Sequence, residues 1–146
     1  MLFGIDHRLS PEALHAVAAM GHGDKLTLVD TNFPAHSAGL KTPWRRHVEF
    51  AGNSTDALAA ILALVPIDTF DAEDPPVRAM QQVATPDIPA EAVADALPLV
   101  RAKGFEIAMT ERFAFYAAAA TSFVIIRTQE RRFYGNFLIR KGVIAP

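Results

Sequence analysis

An α/β fold is predicted for this chain: three layers, α/β/α, in a single domain spanning residues 1–146, with a central and mixed β-sheet. Three observations predict it. Short apolar runs with β-branched residues, of which Ser122–Arg127 (SFVIIR) is the clearest, read as buried strands. Segments with apolar residues at helical spacing alternate with them, each with its own start and stop signals. The third is bulk composition: 146 residues, 51% hydrophobic and 21% charged, describe a globular chain that buries about 70% of its unfolded surface.

The elements follow in order. Ser10-Pro11-Glu12 starts the first helix: Ser10 caps, Pro11 suits the first helical position and Glu12 favours the positive end of the dipole. Leu9 and Leu14 have staple spacing, Leu14, Val17 and Ala18 form the apolar face, and Gly21 is expected as the left-handed stop. Lys25–Val29 is a strand, and Val48–Ala51 a weaker one. The Asn-Ser-Thr-Asp cluster at 53–56 caps a helix through Leu58, Ile61 and Leu62 that Pro66 ends. Asp71–Pro76 is a polar turn and Val77–Val83 a candidate strand. Pro89–Lys103 reads as a helix that Pro98 should break or kink and Gly104 should close. Phe105–Met109 is a strand, Glu111–Ala120 an aromatic- and alanine-rich helix, and Phe137–Arg140 the last strand. The final two strands are close in sequence, which suggests that they pair antiparallel and make the sheet mixed.

Composition excludes several function classes. A formal charge of −2 and a pI near 6.2 give no electrostatic reason to expect nucleic acid as a partner. With no cysteine, disulfides, thiolate chemistry and cysteine-bound zinc are out. The opening MLFGIDHRLS lacks the basic-then-apolar order of a secretory signal, and the longest apolar runs are too short for a bilayer. The expectation is a soluble, cytoplasmic protein without a membrane partner. No dinucleotide fingerprint, Walker pattern or G-x-S-x-G is present.

Chemistry concentrates in three places. The stretch Met20–Ser37 carries His22 between Gly21 and Gly23, Asp24 in the same loop, Asp30 where the strand stops, and Asn32 and His36 beyond it. Imidazole suits proton transfer near neutral pH, and the flanking glycines allow close approach; the other reading is a loop histidine without a role. Asp30 either holds a ligand hydroxyl or serves its own turn, and Asp24 has the same two readings. His22, Asp24, Asp30 and His36 lack the spacing of a metal site, so no metal is expected. The second place is Glu111–Tyr116: Arg112 offers a rigid donor fork, Phe113 and Phe115 read as core, and a buried Tyr116 hydroxyl requires a partner. The third is Tyr134-Gly135-Asn136, where glycine lets the chain turn and the phenol and amide both donate and accept, unless the segment simply begins a strand. Arg131-Arg132 and Arg140-Lys141 read as solvated charge. No nucleophile stands beside a base; the shared theme is recognition of hydroxyls, which suits a sugar or polyol.

Three blocks in this order resemble the fucose mutarotase and ribose pyranase family: MGHGD followed by D-x-x-F-P-A-H-S, then ERFAFY, then YGNFLIRKGV. The ALAAILALVPIDTF stretch between the first two resembles the family's second helix. The resemblance implies an isomerase that interconverts sugar anomers without metal or organic cofactor. It places His22 on the proton donor, Asp30 on the substrate-binding aspartate, Arg112 on a third ligand position, and Tyr134, Gly135 and Asn136 on the C-terminal binding segment. Arg112 with Phe115-Tyr116 and the FPAHS loop resemble the fucose branch, which makes Tyr116 or Tyr134 the second proton-transfer group. The family's rings of subunits imply a homo-oligomer, a decamer, with pockets at subunit interfaces and a monosaccharide as substrate. Leu40–Phe50 and Gln81–Pro98 match the family poorly. Two other classes compete: a non-catalytic sugar binder in transport or regulation, and a metal-dependent enzyme using His22, Asp30 and His36.

Overall fold

The computed structural model describes residues 2–146. In chain order the elements are α1 (Pro11–Ala19), β1 (Lys25–Val29), α2 (Ala35–Gly39), β2 (His47–Glu49), α3 (Ser54–Leu62), β3 (Val77–Met80), α4 (Glu91–Arg101), β4 (Ala108–Thr110), α5 (Arg112–Ala120), β5 (Val124–Arg127) and β6 (Phe137–Arg140). All six strands join one sheet in the order β2-β5-β1-β6-β3-β4. Strand β6 is antiparallel to both of its neighbours, and the remaining pairs are parallel.

Period-two alternation puts a core on each face. Leu26 and Leu28, Val124 and Ile126, and Phe137 and Ile139 face a large core closed by Ala13, Ala16 and Val17 of α1, Leu58 and Ile61 of α3, and Val93 and Val100 of α4. Val29, Ile125, Leu138 and Met80 face a smaller core closed by Phe115 and Ala119 of α5 and by Ala35 of α2. The three-layer expectation holds, and the sheet is mixed for a different reason than proximity: β1 lies between β5 and β6, which do not pair.

Other departures have local causes. Helix α1 ends at Met20 in an extended conformation, and the left-handed residue is Gly23 (φ 83°), not Gly21. Lys141 Nζ donates to the Met20 and Val17 carbonyls (2.6 and 3.1 Å), supplying the donors that the end of α1 leaves unmatched. Helix α4 runs through Pro98 to Arg101. Ala94 and Pro98 lie on its exposed side, so the carbonyl that proline leaves free meets water, while Ala92, Val93, Ala96 and Val100 stay buried. The FPAHS segment folds into the short helix α2 where only a loop was expected. Arg140 is no solvated charge either: it is buried, donates from Nε to Asp68 (2.7 Å), and pairs with Asp74. Arg132 likewise engages Glu130, Asp95 and Glu91. Among the described residues no helix is long and apolar enough to cross a membrane.

Candidate functional site

Strands β1, β5, β3 and β4 run in one direction, and the loops leaving their C-terminal ends converge there; β6 begins at the same edge because it runs the other way. This is where open α/β sheets expose backbone and side chains to ligands.

Asp30 closes β1. Its Oδ1 accepts from the amides of Asn32 (3.0 Å) and Phe33 (2.9 Å), an Asx turn that fixes the carboxylate. Asn136, one residue before β6, completes the arrangement. Its Oδ1 accepts from the Asp30 amide (2.8 Å) and its Nδ2 donates to Asp30 Oδ2 (3.0 Å). Both side chains are buried. Burial pushes the Asp30 carboxyl above its usual range, against the opposing pull of these donors.

The turn that delivers Tyr134 and Asn136 is held by a second buried carboxylate. Glu130 accepts from Ser54 Oγ (3.1 Å) and from Arg132 Nε and Nη2 (both 2.9 Å). The Arg132 guanidinium is the largest influence that brings its pKa down to about 2. Arg132 extends to Asp95 of α4 (2.7 Å), tying the turn to the helical layer. Tyr134 adopts a left-handed conformation (φ 61°), which is uncommon for a residue with a Cβ and belongs to a constrained turn. Gly135 is required by space: a Cβ there would lie 2.6 Å from Glu130 Cγ and 3.0 Å from Ser54 Oγ.

The opposite wall comes from α5. Glu111 caps this helix, its Oε2 accepting from the Phe113 (2.9 Å) and Ala114 (3.0 Å) amides. Arg112 therefore sits at the first helical position, with its guanidinium carbon 5.6 Å from the centre of the Tyr116 ring. Tyr116 packs against Phe33 at 5.1 Å. Between these walls lies a cavity of about 350 Å3, large enough for a monosaccharide. Asp30, Asn32, Asn136 and Arg112 give it polar groups, Tyr116 and Tyr134 give it phenols, and Phe33, Met80 and Phe133 give it apolar surface. Met80 and Phe133 were not singled out by sequence reasoning, and Phe33 only as part of the FPAHS block; an aromatic or Met in a mixed run carries no signal that separates pocket from core.

The structure thus gathers Asp30, Arg112, Tyr116, Tyr134 and Asn136 around one space; Gly135 links the last two in the chain and faces Glu130, Ser54 and Ala92. His22 is elsewhere. It precedes β1, whereas Asp30 follows it, so the strand itself separates them by about 15 Å. Its exposed ring stands 5.0 Å from Phe70, and its Nε2 lies 3.2 Å from Asp68 Oδ1. Asp24 turns back on its own loop, accepting from the Gly21 amide (2.8 Å), and His36 lies beside His47. Among the described residues no three His, Asp or Glu side chains gather as a metal set.

Residues 3–144 match the model of the RbsD / FucU transport protein family. The chain is 37% identical to the fucose mutarotase of Homo sapiens over 153 residues, which covers 99% of this chain and 95% of that one. The crystal structure of FucU from Bifidobacterium longum superimposes with a TM-score of 0.85 at 32% identity, covering 97% of this chain and 99% of the other. That of the fucose mutarotase from Streptococcus pneumoniae in complex with L-fucose gives 0.84 at 27% identity, with 99% and 100% covered.

Proposed function

We propose that this chain, which belongs to the RbsD / FucU transport protein family, is a monosaccharide mutarotase that interconverts the α and β anomers of L-fucose. The observation that carries the reading is the cavity itself. One wall is a fixed carboxylate–amide pair with the Tyr134 phenol on the same turn, the other Arg112 and Tyr116, with apolar surface between them. Such a set recognises a ring bearing several hydroxyls and one apolar face, and fucose mutarotases are among the relatives.

Ring opening needs a proton delivered to the hemiacetal ring oxygen and another taken from the anomeric hydroxyl. The C1–O5 bond breaks, C1 becomes an aldehyde, rotation about C1–C2 exchanges its faces, and the reverse transfers reclose the ring. Asp30, Asn136 and Arg112 hold hydroxyls so that only C1 moves, while Tyr116 or Tyr134 exchanges one proton. His22 exchanges the other, and because it lies across the sheet from the cavity of its own chain, it serves the cavity of a neighbouring copy. The working form is then a homo-oligomeric ring, decameric and cytoplasmic. The exposed Phe113 beside Arg112 and the exposed Phe133 at the cavity are apolar surface that such a neighbour covers.

Saturation-transfer NMR on equilibrated L-fucose tests this. Accelerated α/β exchange is expected, lost in His22→Gln with the fold and sugar binding intact; no acceleration for fucose, ribose or related sugars refutes it. The distance of His22 from the cavity also favours a second reading, a sugar binder that catalyses nothing. It predicts sugar binding, no exchange above background, and indifference to His22→Gln.

A further inference from the structure

A second, smaller cavity of about 140 Å3 adjoins the one described above, and Arg112 lines both. Its other walls are Gln81, Gln82, Val83, Pro86 and Glu111. Most of this lining comes from the 81–98 stretch, whose sequence departs from the family that the rest of the chain resembles. Local bonding fixes its shape. The Gln81 amide donates to the Thr110 carbonyl (2.8 Å), which extends the β3–β4 ladder by one residue and sets Gln81 level with Glu111. The loop beyond closes on itself: Gln82 Nε2 donates to the Ile88 carbonyl (2.8 Å), and the Ile88 amide donates to the Thr85 carbonyl (3.0 Å). Val83 and Pro86 are thereby held as an apolar wall.

The chemistry of the lining defines the class of group that it takes. Glu111 uses Oε2 for both capping amides, so Oε1 remains to accept a hydrogen bond. Those amides hold its carboxyl below the usual range, which keeps it ionised near neutral pH. Among the described residues no ion pair holds the Arg112 guanidinium; it lies over the Phe113 and Tyr116 rings with donors to spare. Gln81 adds a carboxamide that both donates and accepts. One positive and one negative group balance, so nothing in the lining favours an anion such as a phosphate. The set suits a neutral group with hydroxyls on one side and C–H surface for Val83 and Pro86 on the other. A single water needs only about 15 Å3, so a hydroxymethyl group would leave most of this space unfilled, whereas the edge of a sugar ring fills it. We infer that the side pocket is a subsite for a second sugar unit linked to the one in the main cavity, so that the substrates include reducing disaccharides. This rests on the sugar reading of the main cavity given above. The anomeric hydroxyl must stay free, which leaves O2, O3 and O4 of an L-fucose unit as points of attachment. Only the C1–O5 bond of the reducing unit opens and recloses; the glycosidic bond is untouched.

Calorimetry and saturation-transfer NMR on the full chain test it, with L-fucose and three disaccharides that carry a β-D-glucosyl unit on O2, O3 or O4 of L-fucose. One of these should bind on the order of 10-fold more tightly than L-fucose, the gain that about one net hydrogen bond gives, and should exchange its anomers. Gln81→Ala should remove that gain and leave the Kd and the exchange rate of L-fucose unchanged. In the wild type, the side-chain amide resonances of Gln81 should shift with that disaccharide and stay in place with L-fucose, a reading that needs no variant. The subsite is refuted by disaccharides that all bind no more tightly than L-fucose, or by a gain that survives Gln81→Ala while the Gln81 resonances do not move. Tighter binding of L-fucose 4-sulfate than of any disaccharide overturns the assignment to a neutral group. The two readings fail separately. Exchange of L-fucose with no gain from any disaccharide sinks the subsite alone, whereas a Gln81-dependent gain without exchange of any sugar sinks the mutarotase reading alone.

Discussion

Replacing Asn136 with aspartate is nearly isosteric, yet it sets a second carboxylate oxygen where Nδ2 stands, 3.0 Å from Asp30 Oδ2. Two full charges at that separation repel by about 5 kcal/mol at an effective dielectric of about 20. Protonating one carboxyl at pH 7 instead costs about 4 kcal/mol, taking 1.36 kcal/mol per pH unit above an ordinary pKa of about 3.9. The second cost is smaller, so the folded pair keeps a proton. That proton restores a donor between the two oxygens. The folded pKa of the pair therefore lies above the unfolded value. The unfolded chain binds fewer protons than the folded one through this window, and stability must fall as pH rises. Asn136→Asp should match the wild type near pH 4, lie about 1.5 kcal/mol below it at pH 5, and about 4 kcal/mol below it at pH 7. Urea unfolding at these pH values measures this, with Asp30→Asn in the Asn136→Asp background as the control that removes the slope. An equal deficit at pH 5 and pH 7 would show that the two side chains do not share the buried contact described, and the polar wall of the cavity would have to be redrawn.

Further outcomes follow from the same packing. Glu130→Gln should cost up to about 3 kcal/mol at pH 7, because a group at about 2 when folded and near 4.5 when unfolded adds stability above the unfolded value. That contribution is lost as pH falls from about 4.5 towards 2, so denaturation curves of the two proteins should converge in acid. Gly135→Ala forces Glu130 and Ser54 apart and should destabilise by about 1–3 kcal/mol, with weaker sugar binding by calorimetry because Tyr134 and Asn136 flank the shift. Phe115→Ala opens the smaller core, where the ring is fully buried, and should lower the unfolding free energy by about 3–5 kcal/mol.

Much of the architecture was legible because local rules and tertiary packing agree. Ser10, Pro11 and Asn53 start helices as their chemistry predicts, since capping is satisfied within three residues. Ser122–Arg127 reads as a strand because both of its faces are covered. Where a distant partner decides, local reading failed. Proline at position 98 is a helix breaker only if the freed carbonyl is buried, and α4 turns that side to water. Arg140 looks solvated until Asp68 and Asp74, 72 and 66 residues earlier, arrive beside it. The pairing of β6 with β1 rather than β5 is a choice between two equally apolar edges, and nothing in FLIR distinguishes them.

The site divides along the same line. Asp30 and Asn136 are 106 residues apart, yet both were singled out because each bears a hydroxyl-binding group at the end of a predicted strand. What sequence order misrepresents is His22. It is eight residues from Asp30 and reads as its neighbour, but a strand is the conformation that carries two nearby residues farthest apart, at about 3.3 Å per residue. Had the five residues of that strand been helical, they would span only about 7.5 Å. An extended β1 therefore sets the imidazole and the carboxylate of one chain at opposite edges of the sheet. It leaves His22 instead at the opposite edge of the sheet, 3.2 Å from Asp68. The same arithmetic gives a mixing test: if copies share sites, His22→Gln and Asp30→Asn chains, each inactive alone, should recover exchange when refolded together, whereas a self-contained site would stay silent.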